Sequence, residues 1–260
     1  AELGAEHVRT GKPILYTSAD SVLQIAAHEQ VIRVDRLYDI CSVARQHADR
    51  FRIGRVIARP FAGPEENFAR TSRRHDFSMR PPRTILDAIA ESGRAVVGVG
   101  KISDIFAGQG VTESFPTDSN AAGMKRLDEC WAGLNNGLLF ANLVDFDMLY
   151  GHRREVRGYA EALHNFDLWL GEFLPAILPA DLVVITADHG NDPTFCGTDH
   201  TREQVPLFVL HNGEARGLGV RKTYADIAAT LSDYFQLPER WPVGESFLSR
   251  EASDQMRARN

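Results

Sequence analysis

From Arg83 onward the chain alternates short, continuously apolar runs with helix-length amphipathic segments, and few folds accept that pattern. The apolar runs are AVVGVG (Ala95–Gly100), GLLFANLVDF (Gly137–Phe146), DLVVITAD (Asp181–Asp188) and VPLFVL (Val205–Leu210). Helical spacing marks Arg83–Ser92, Ala121–Leu134, Val156–Leu174 and Tyr224–Phe235. A strand that is apolar along its whole length has no face to give to water. The pattern therefore predicts an α/β fold built on a mostly parallel sheet covered by helices on both faces. Such sheets bind ligands beyond the carboxyl ends of their strands, so the residues after each strand are the ones to inspect.

The region before Arg83 reads differently. A short apolar stretch (Pro13–Thr17), two helix-like runs (Ser21–Glu29 and Val34–Arg50) and a strand (Gly54–Ala58) suggest a small α+β unit. The segment Pro60–Arg83, rich in proline and arginine and poor in apolar periodicity, reads as a long excursion or a linker.

Composition narrows the function classes. The net charge of −6, with basic residues dispersed, gives no footprint for nucleic acid or an anionic membrane. No apolar run reaches transmembrane length, and the opening AELGAEHVRTGKP is no signal peptide. The three cysteines lie far apart, which fits free thiols in a reducing, cytoplasmic setting and offers no disulfide framework. There is no GxGxxG fingerprint and no P-loop.

Two strand ends carry the chemistry. After Gly137–Phe146 stand Asp147 and, five residues on, His152; after the strand ending at Ala187 stand Asp188, His189 and then His200. Imidazole and carboxylate together suit Zn²⁺ or Mn²⁺ better than Mg²⁺. Five such groups exceed the need of one open site, whereas two metals roughly 3.5–4 Å apart would use them all and clamp a phosphoryl group. Each residue has a plainer reading. Asp145 and Asp147 suit helix caps, a lone histidine suits a surface hydrogen bond, and Asp188-His189-Gly190 suits a turn. The same ligand chemistry at both strand ends favours metal. Elsewhere, Ser18 and Asp20 suit a helix cap, Lys101 a phosphate or solvent, and Arg153-Arg154 an anion or the nearby Glu155 and Asp147. Cys196 reads as a bystander.

The blocks GKPILYTSADSVLQIAAHE, GRVIARPF, GVGKISDIF, VDFDMLYGHRR and TADHGNDPTFCGTDHTRE resemble, in order, the bacterial phosphopentomutases of the alkaline phosphatase superfamily. That resemblance implies a doubly wound, alkaline-phosphatase-like core with a smaller cap. Residues 1–78 would be the sugar-binding cap and residues 79–260 the C-terminal part of the metal-binding core. It implies an isomerase that interconverts ribose or 2-deoxyribose 1-phosphate and 5-phosphate through a phosphothreonine. Two Mn²⁺ and a sugar bisphosphate activator would serve it, with pentose phosphates as its partners. By the family pattern Asp147, His152 and His200 hold one Mn²⁺, and Asp188 and His189 serve the other. Ser18 and Asp20 meet the sugar hydroxyls, Arg55 and Ile57 line the pocket, and Lys101 meets the phosphate.

The chain also departs from that pattern. The family's N-terminal strand, with an Asp ligand in a D-G motif, and the nucleophilic threonine are both expected ahead of residue 1, so no catalytic nucleophile is assigned within these 260 residues. A metal-dependent phosphatase or a cofactor-independent phosphoglycerate mutase would share the metal scaffold, but YTSADS and GRVIARPF favour the pentose enzyme. A non-catalytic chain that binds metal or sugar phosphate is the remaining alternative.

Overall fold

The computed structural model describes residues 2–18, 22–213, 215–239 and 241–248. It divides into two compact units, residues 1–81 with 104–107, and residues 82–103 with 108–260.

The first unit holds helix α1 (Gly4–Thr10), strands β1 (Ile14–Ser18) and β2 (Val22–His28), helix α2 (Val34–Ala48), and strands β3 (Arg55–Ala62), β4 (Ala69–Arg70) and β5 (His75–Ser78). The sheet runs β1-β2-β3-β4, with β5 also paired to β3; β2 and β3 are parallel and every other pair is antiparallel. A parallel pair needs a crossover, and α2 supplies it. Leu37, Cys41 and Ala48 stand on one helical stripe and pack with Ile25, Ala27, Val56 and Ala58, the alternate residues of β2 and β3. Buried His7 ties α1 down: its Nε2 accepts from the His28 amide at 2.8 Å, and its Nδ1 donates to the Lys12 carbonyl at 2.6 Å.

Two sequence expectations fail in this unit. Ser21–Glu29 was expected to be helical, but Val22–His28 is a strand, buried on both sides of the sheet. A short apolar run satisfies either period, and pairing on both edges decides for the strand. The expected excursion Pro60–Arg83 instead continues the sheet. Strand β3 runs through Pro60 to Ala62, and β4 and β5 lie beyond it. The Pro60 carbonyl still serves the sheet by accepting from the Thr71 amide at 3.1 Å.

Desolvation pushes the buried Cys41 thiol up to about 11, whereas Cys196 is exposed. A disulfide reagent at pH 8 is therefore expected to label Cys196 in the native protein and Cys41 only after denaturation. Equal native rates would contradict the core described here.

The second unit holds α3 (Ile85–Glu91), β6 (Ala95–Val99), α4 (Ile102–Ile105, within which the division falls), β7 (Glu113–Phe115), α5 (Asn120–Gly133), β8 (Gly137–Ala141), α6 (Val156–Phe173), β9 (Val183–Thr186), β10 (Leu207–Leu210) and α7 (Ala225–Tyr234). A reciprocal capping box starts α3: Thr84 Oγ1 accepts from the Leu86 amide at 3.3 Å, and Asp87 Oδ2 from the Thr84 amide at 2.7 Å. Strands β7-β6-β8 form the parallel α/β sheet, and β6, the central strand, is buried along almost its whole length.

Strand β10, however, pairs antiparallel with β9 in a separate two-stranded sheet. No helix lies between them to carry the chain back to the same end, so the chain returns as a long hairpin. The strand expected over Gly137–Phe146 ends early, at Ala141. Among the described residues no helix is long and apolar enough to cross a membrane.

Candidate metal centre

Beyond β8 the chain is anchored before it reaches the site. Asp145 and Asn120, 9% and 6% exposed, exchange hydrogen bonds: the Asn120 amide donates to Asp145 Oδ2 at 2.7 Å, and the Asp145 amide to Asn120 Oδ1 at 2.8 Å. Asp145 thus spends its carboxylate on the first turn of α5 and is structural. Two residues on, Asp147 begins the chemistry.

Residues Phe146–Gly151 form a π turn, closed by a hydrogen bond of 3.1 Å from the His152 amide to the Asp147 carbonyl. In an α-helix, positions five apart point about 140° away from each other. The wider π turn bonds residue i to i+5 and sets His152 over Asp147. His152 Nε2 lies 3.3 Å from Asp147 Oδ2. Its Nδ1 donates to the Thr198 carbonyl at 2.6 Å, which fixes the ring with Nε2 toward the carboxylate.

The third group comes from the loop after β9. An isolated bridge between Gly190 and Thr201, with the Thr201 amide 3.0 Å from the Gly190 carbonyl, folds this loop back on itself. A Cβ on Gly190 would stand 2.2 Å from Glu203 Oε2 and 2.8 Å from the Thr201 carbonyl oxygen, so the close return needs glycine. The fold-back sets His200 Nε2 3.3 Å from Asp147 Oδ1. The His200 ring stacks on His189 at 3.6 Å and on His152 at 4.8 Å between centroids.

Ligand atoms of Asp147, His152 and His200 all lie within 4.8 Å of one another. Two ligands each roughly 2.1 Å from a tetrahedral ion stand about 3.4 Å apart, close to the 3.3 Å between the carboxylate and each imidazole. His200 Nε2 is buried without a hydrogen-bond partner among the described residues. A buried ring nitrogen without a hydrogen-bond partner, 3.3 Å from a carboxylate oxygen, fits a shared cation. Burial first, then the charges of Asp147, Asp192 and Glu203, pushes the Tyr159 hydroxyl above its ordinary range, a sign of the negative field that a cation would meet.

The other expected ligands stand beside this group. His189 stacks on His200, its Nδ1 is 3.2 Å from the Gly190 carbonyl oxygen, and its Nε2 is 3.6 Å from Asp188 Oδ2. The Asp188 side chain is 74% exposed. Lys101 follows β6 and donates from Nζ to Met148 Sδ at 2.8 Å, over the same π turn that carries Asp147. In the first unit, register sets the Ser18 backbone and Arg55 opposite Val22, and Ile57 opposite Gln24, with Arg55 and Ile57 on the sheet side away from α2. Arg55 is exposed and Ile57 buried. Asp20 lies outside the described residues.

Two positioning residues escaped the sequence reading. Arg154, read there as an anion clamp or a partner of acidic neighbours, instead grips backbone. Its Nη1 donates to the Gly151 carbonyl (3.1 Å), Asn191 Oδ1 (2.8 Å) and the Asp192 carbonyl (2.8 Å); its Nε donates to the Gly197 carbonyl and its Nη2 to that of Asp199. Asn191 passes the grip on, donating to Asp147 Oδ1 at 2.6 Å. Gly151 leaves room for it, since a Cβ there would stand 2.2 Å from Asn191 Nδ2. Neither role has a local sequence signal, because both depend on a left-handed backbone at Arg154 (φ 55°) and on the fold-back of the 190–201 loop.

Comparison with known proteins gives a consistent picture. The model of the metalloenzyme superfamily matches residues 89–239. The phosphopentomutase of Syntrophotalea carbinolica is 53% identical over 253 residues, spanning 96% of this chain and 64% of that protein. Those of Symbiobacterium thermophilum and Caldanaerobacter subterraneus subsp. tengcongensis are 51% and 54% identical, each again covered to 64%. The chain therefore spans less than two thirds of the length of these relatives. Among solved structures, the PH0037 protein from Pyrococcus horikoshii superposes with a TM-score of 0.50 at 14% identity, covering 80% of this chain and 66% of that one. At that identity the likeness concerns the fold alone.

Proposed function

The chain belongs to the metalloenzyme superfamily, and from that premise we propose that it forms the greater part of a phosphopentomutase, interconverting the 1- and 5-phosphates of ribose or 2-deoxyribose. The observation that carries this reading is the Asp147 carboxylate held between the Nε2 atoms of His152 and His200, 3.3 Å from each. Its similarity to phosphopentomutases along nearly its whole length supports the choice of substrate.

Asp147, His152 and His200 would hold one Mn²⁺, and Asp188 with His189 would serve a second. Divalent ions there supply positive charge against the phosphoryl oxygens and lower the pKa of an attacking hydroxyl. The chain's own residues do the rest. The His152 bond to the Thr198 carbonyl fixes one imidazole, and Asn191 fixes the carboxylate. Lys101 meets the substrate phosphate as a point charge. Ser18 and Asp20 read the sugar hydroxyls, and Arg55 and Ile57 shape the wall around them. Residues 1–78 act as a cap that keeps water from the phosphorylated state, which would otherwise hydrolyse. The phosphoryl group passes from a threonine to the free hydroxyl of the pentose phosphate. The resulting bisphosphate turns and returns its other phosphate to the threonine. This reading gives the threonine to the part of the relatives that the chain does not span, and a sugar bisphosphate primes the cycle. A cytoplasmic setting suits the three free cysteines.

The test compares this chain with a version joined to the unmatched part of the Syntrophotalea relative, in Mn²⁺, on ribose 1-phosphate, 2-phosphoglycerate and p-nitrophenyl phosphate. The joined protein is expected to isomerise ribose 1-phosphate, while the chain alone binds Mn²⁺ without turnover. Preference for either other substrate would overturn the reading. Turnover by the 260-residue chain alone would overturn the placement of the threonine.

A further inference from the structure

Alternate residues of a strand share a face. The pairings Tyr16↔Gln24, Gln24↔Ile57 and Ile57↔Asp76 therefore set Tyr16, Gln24, Arg55, Ile57, Arg59 and Asp76 on the side of the first unit's sheet away from α2. Continuing the β3–β5 register by one residue brings Arg74 opposite Arg59. Like charges directly opposed on a sheet repel, so this juxtaposition calls for compensation.

The carboxylate in this row is already committed. Both oxygens of Asp76 accept from Arg74, at 2.7 and 2.5 Å, and Arg55 Nη1 stands 3.8 Å from Oδ2. Arg59 has no carboxylate partner among the described residues. Its Nε donates to Gln24 Oε1 at 2.8 Å, and Gln24 is itself buried. The pair is rigid for a simple reason: a buried amide in a strand cannot swing away, so it fixes the plane of the guanidinium. The Nη edge is left as a pre-aimed fork of donors. Burial first, then the charge of Arg74, holds this guanidinium below its ordinary pKa, and Arg70 adds a smaller push in the same sense. A half-buried cation in this setting is stabilised by an anion.

We propose that Arg59, oriented by Gln24, is an anion-binding residue whose ligand is the phosphate of a phosphomonoester. It stands two residues, about 7 Å, beyond Ile57 along β3, on the same face as Arg55 and Ile57, the residues proposed to shape the wall around the sugar. The choice of a sugar phosphate as the phosphomonoester rests on the proposed function, whereas the unpaired fork does not.

The test reads binding without turnover and without metal, so it stands or falls apart from the mutase reading. In EDTA, ribose 5-phosphate and inorganic phosphate are titrated calorimetrically against the chain, with ribose as the uncharged control. Both phosphates are expected to bind and ribose to give no heat. Arg59→Gln is expected to weaken ribose 5-phosphate roughly 10- to 100-fold, the weight of hydrogen bonds to a charged group. Arg59→Lys should recover only part, because a point charge cannot replace a fork. Arg73→Gln removes an arginine bound to Glu29 and should change the affinity less than about twofold. If Arg59→Gln does not fold, Gln24→Leu leaves the charge but not its orientation, with an expected loss of about fivefold. The proposal is overturned if Arg59→Gln or Gln24→Leu binds like the parent, if Arg73→Gln loses as much, or if ribose binds equally well.

Discussion

Asp147→Ala is expected to lower Mn²⁺ affinity by more than about 100-fold, read as free Mn²⁺ in an EPR titration. Removing a group that merely orients a ligand already costs 10- to 100-fold, and the proposal makes Asp147 the ligand between the two imidazoles. Both imidazoles face its carboxylate at 3.3 Å, one on each oxygen. Binding also stabilises. At a free Mn²⁺ concentration 100 times Kd the parent gains about 2.7 kcal/mol, and its melting temperature rises accordingly. That rise should vanish in the variant. Asp147→Ala also strips Asn191 of its acceptor, so Asp147→Asn serves as a companion that keeps the shape. His164→Ala, on α6 and outside the centre, should behave as the parent. A Mn²⁺-dependent rise retained in both Asp147 variants would sink the assignment.

The second large effect is expected at a residue that touches no proposed ligand atom. Arg154→Ala removes a guanidinium that holds Gly151, Asn191, Asp192, Gly197 and Asp199 together. The loop bearing Thr198 and His200 would lose its tether to the π turn. The part-buried acceptors at Gly151, Asn191 and Asp192 would lose a charged donor, at about 1–3 kcal/mol each before water replaces it. We expect Mn²⁺ affinity to fall 10- to 100-fold and proteolysis to begin within residues 191–199. Arg154→Gly separates two causes, because it relieves the left-handed backbone at φ 55° while still deleting the fork. It should lose affinity as Ala does. Arg154→Lys should not rescue, since an ammonium cannot reach acceptors spread across one plane. Parent-like Mn²⁺ binding by the Lys variant would show that the fork is dispensable.

The long helices after Arg83 and the apolar strands between them were legible because their pattern runs over whole segments. The short Ile102–Ile105 and Glu113–Phe115 carried too few residues to show a period. Val22–His28 was not, since seven apolar-rich residues fit either period and only β1 and β3, on its two edges, decide. The reversal of β10 was hidden for a different reason: a loop without a helix carries no mark of the direction in which it returns. At the site, the Asp147–His152 spacing suggested ligands but not the π turn that makes five residues the right interval. Asp145 illustrates the limit well. It has the same residue type as Asp147 and lies two positions away, yet its carboxylate is consumed by a backbone amide. Arg154 and Asn191 act through contacts made across some forty residues, which no local pattern encodes.

The π turn at Phe146–Gly151 has a consequence for how this segment can change length. It is a helical turn carrying one residue more than α geometry needs. Deleting one residue would restore the ordinary ladder and could make the segment sturdier. It would also rotate the following side chain by about 100°, taking the imidazole of position 152 off the carboxylate. Single deletions here should therefore yield proteins that fold and melt normally yet fail to hold Mn²⁺, an indel whose damage a stability screen would miss.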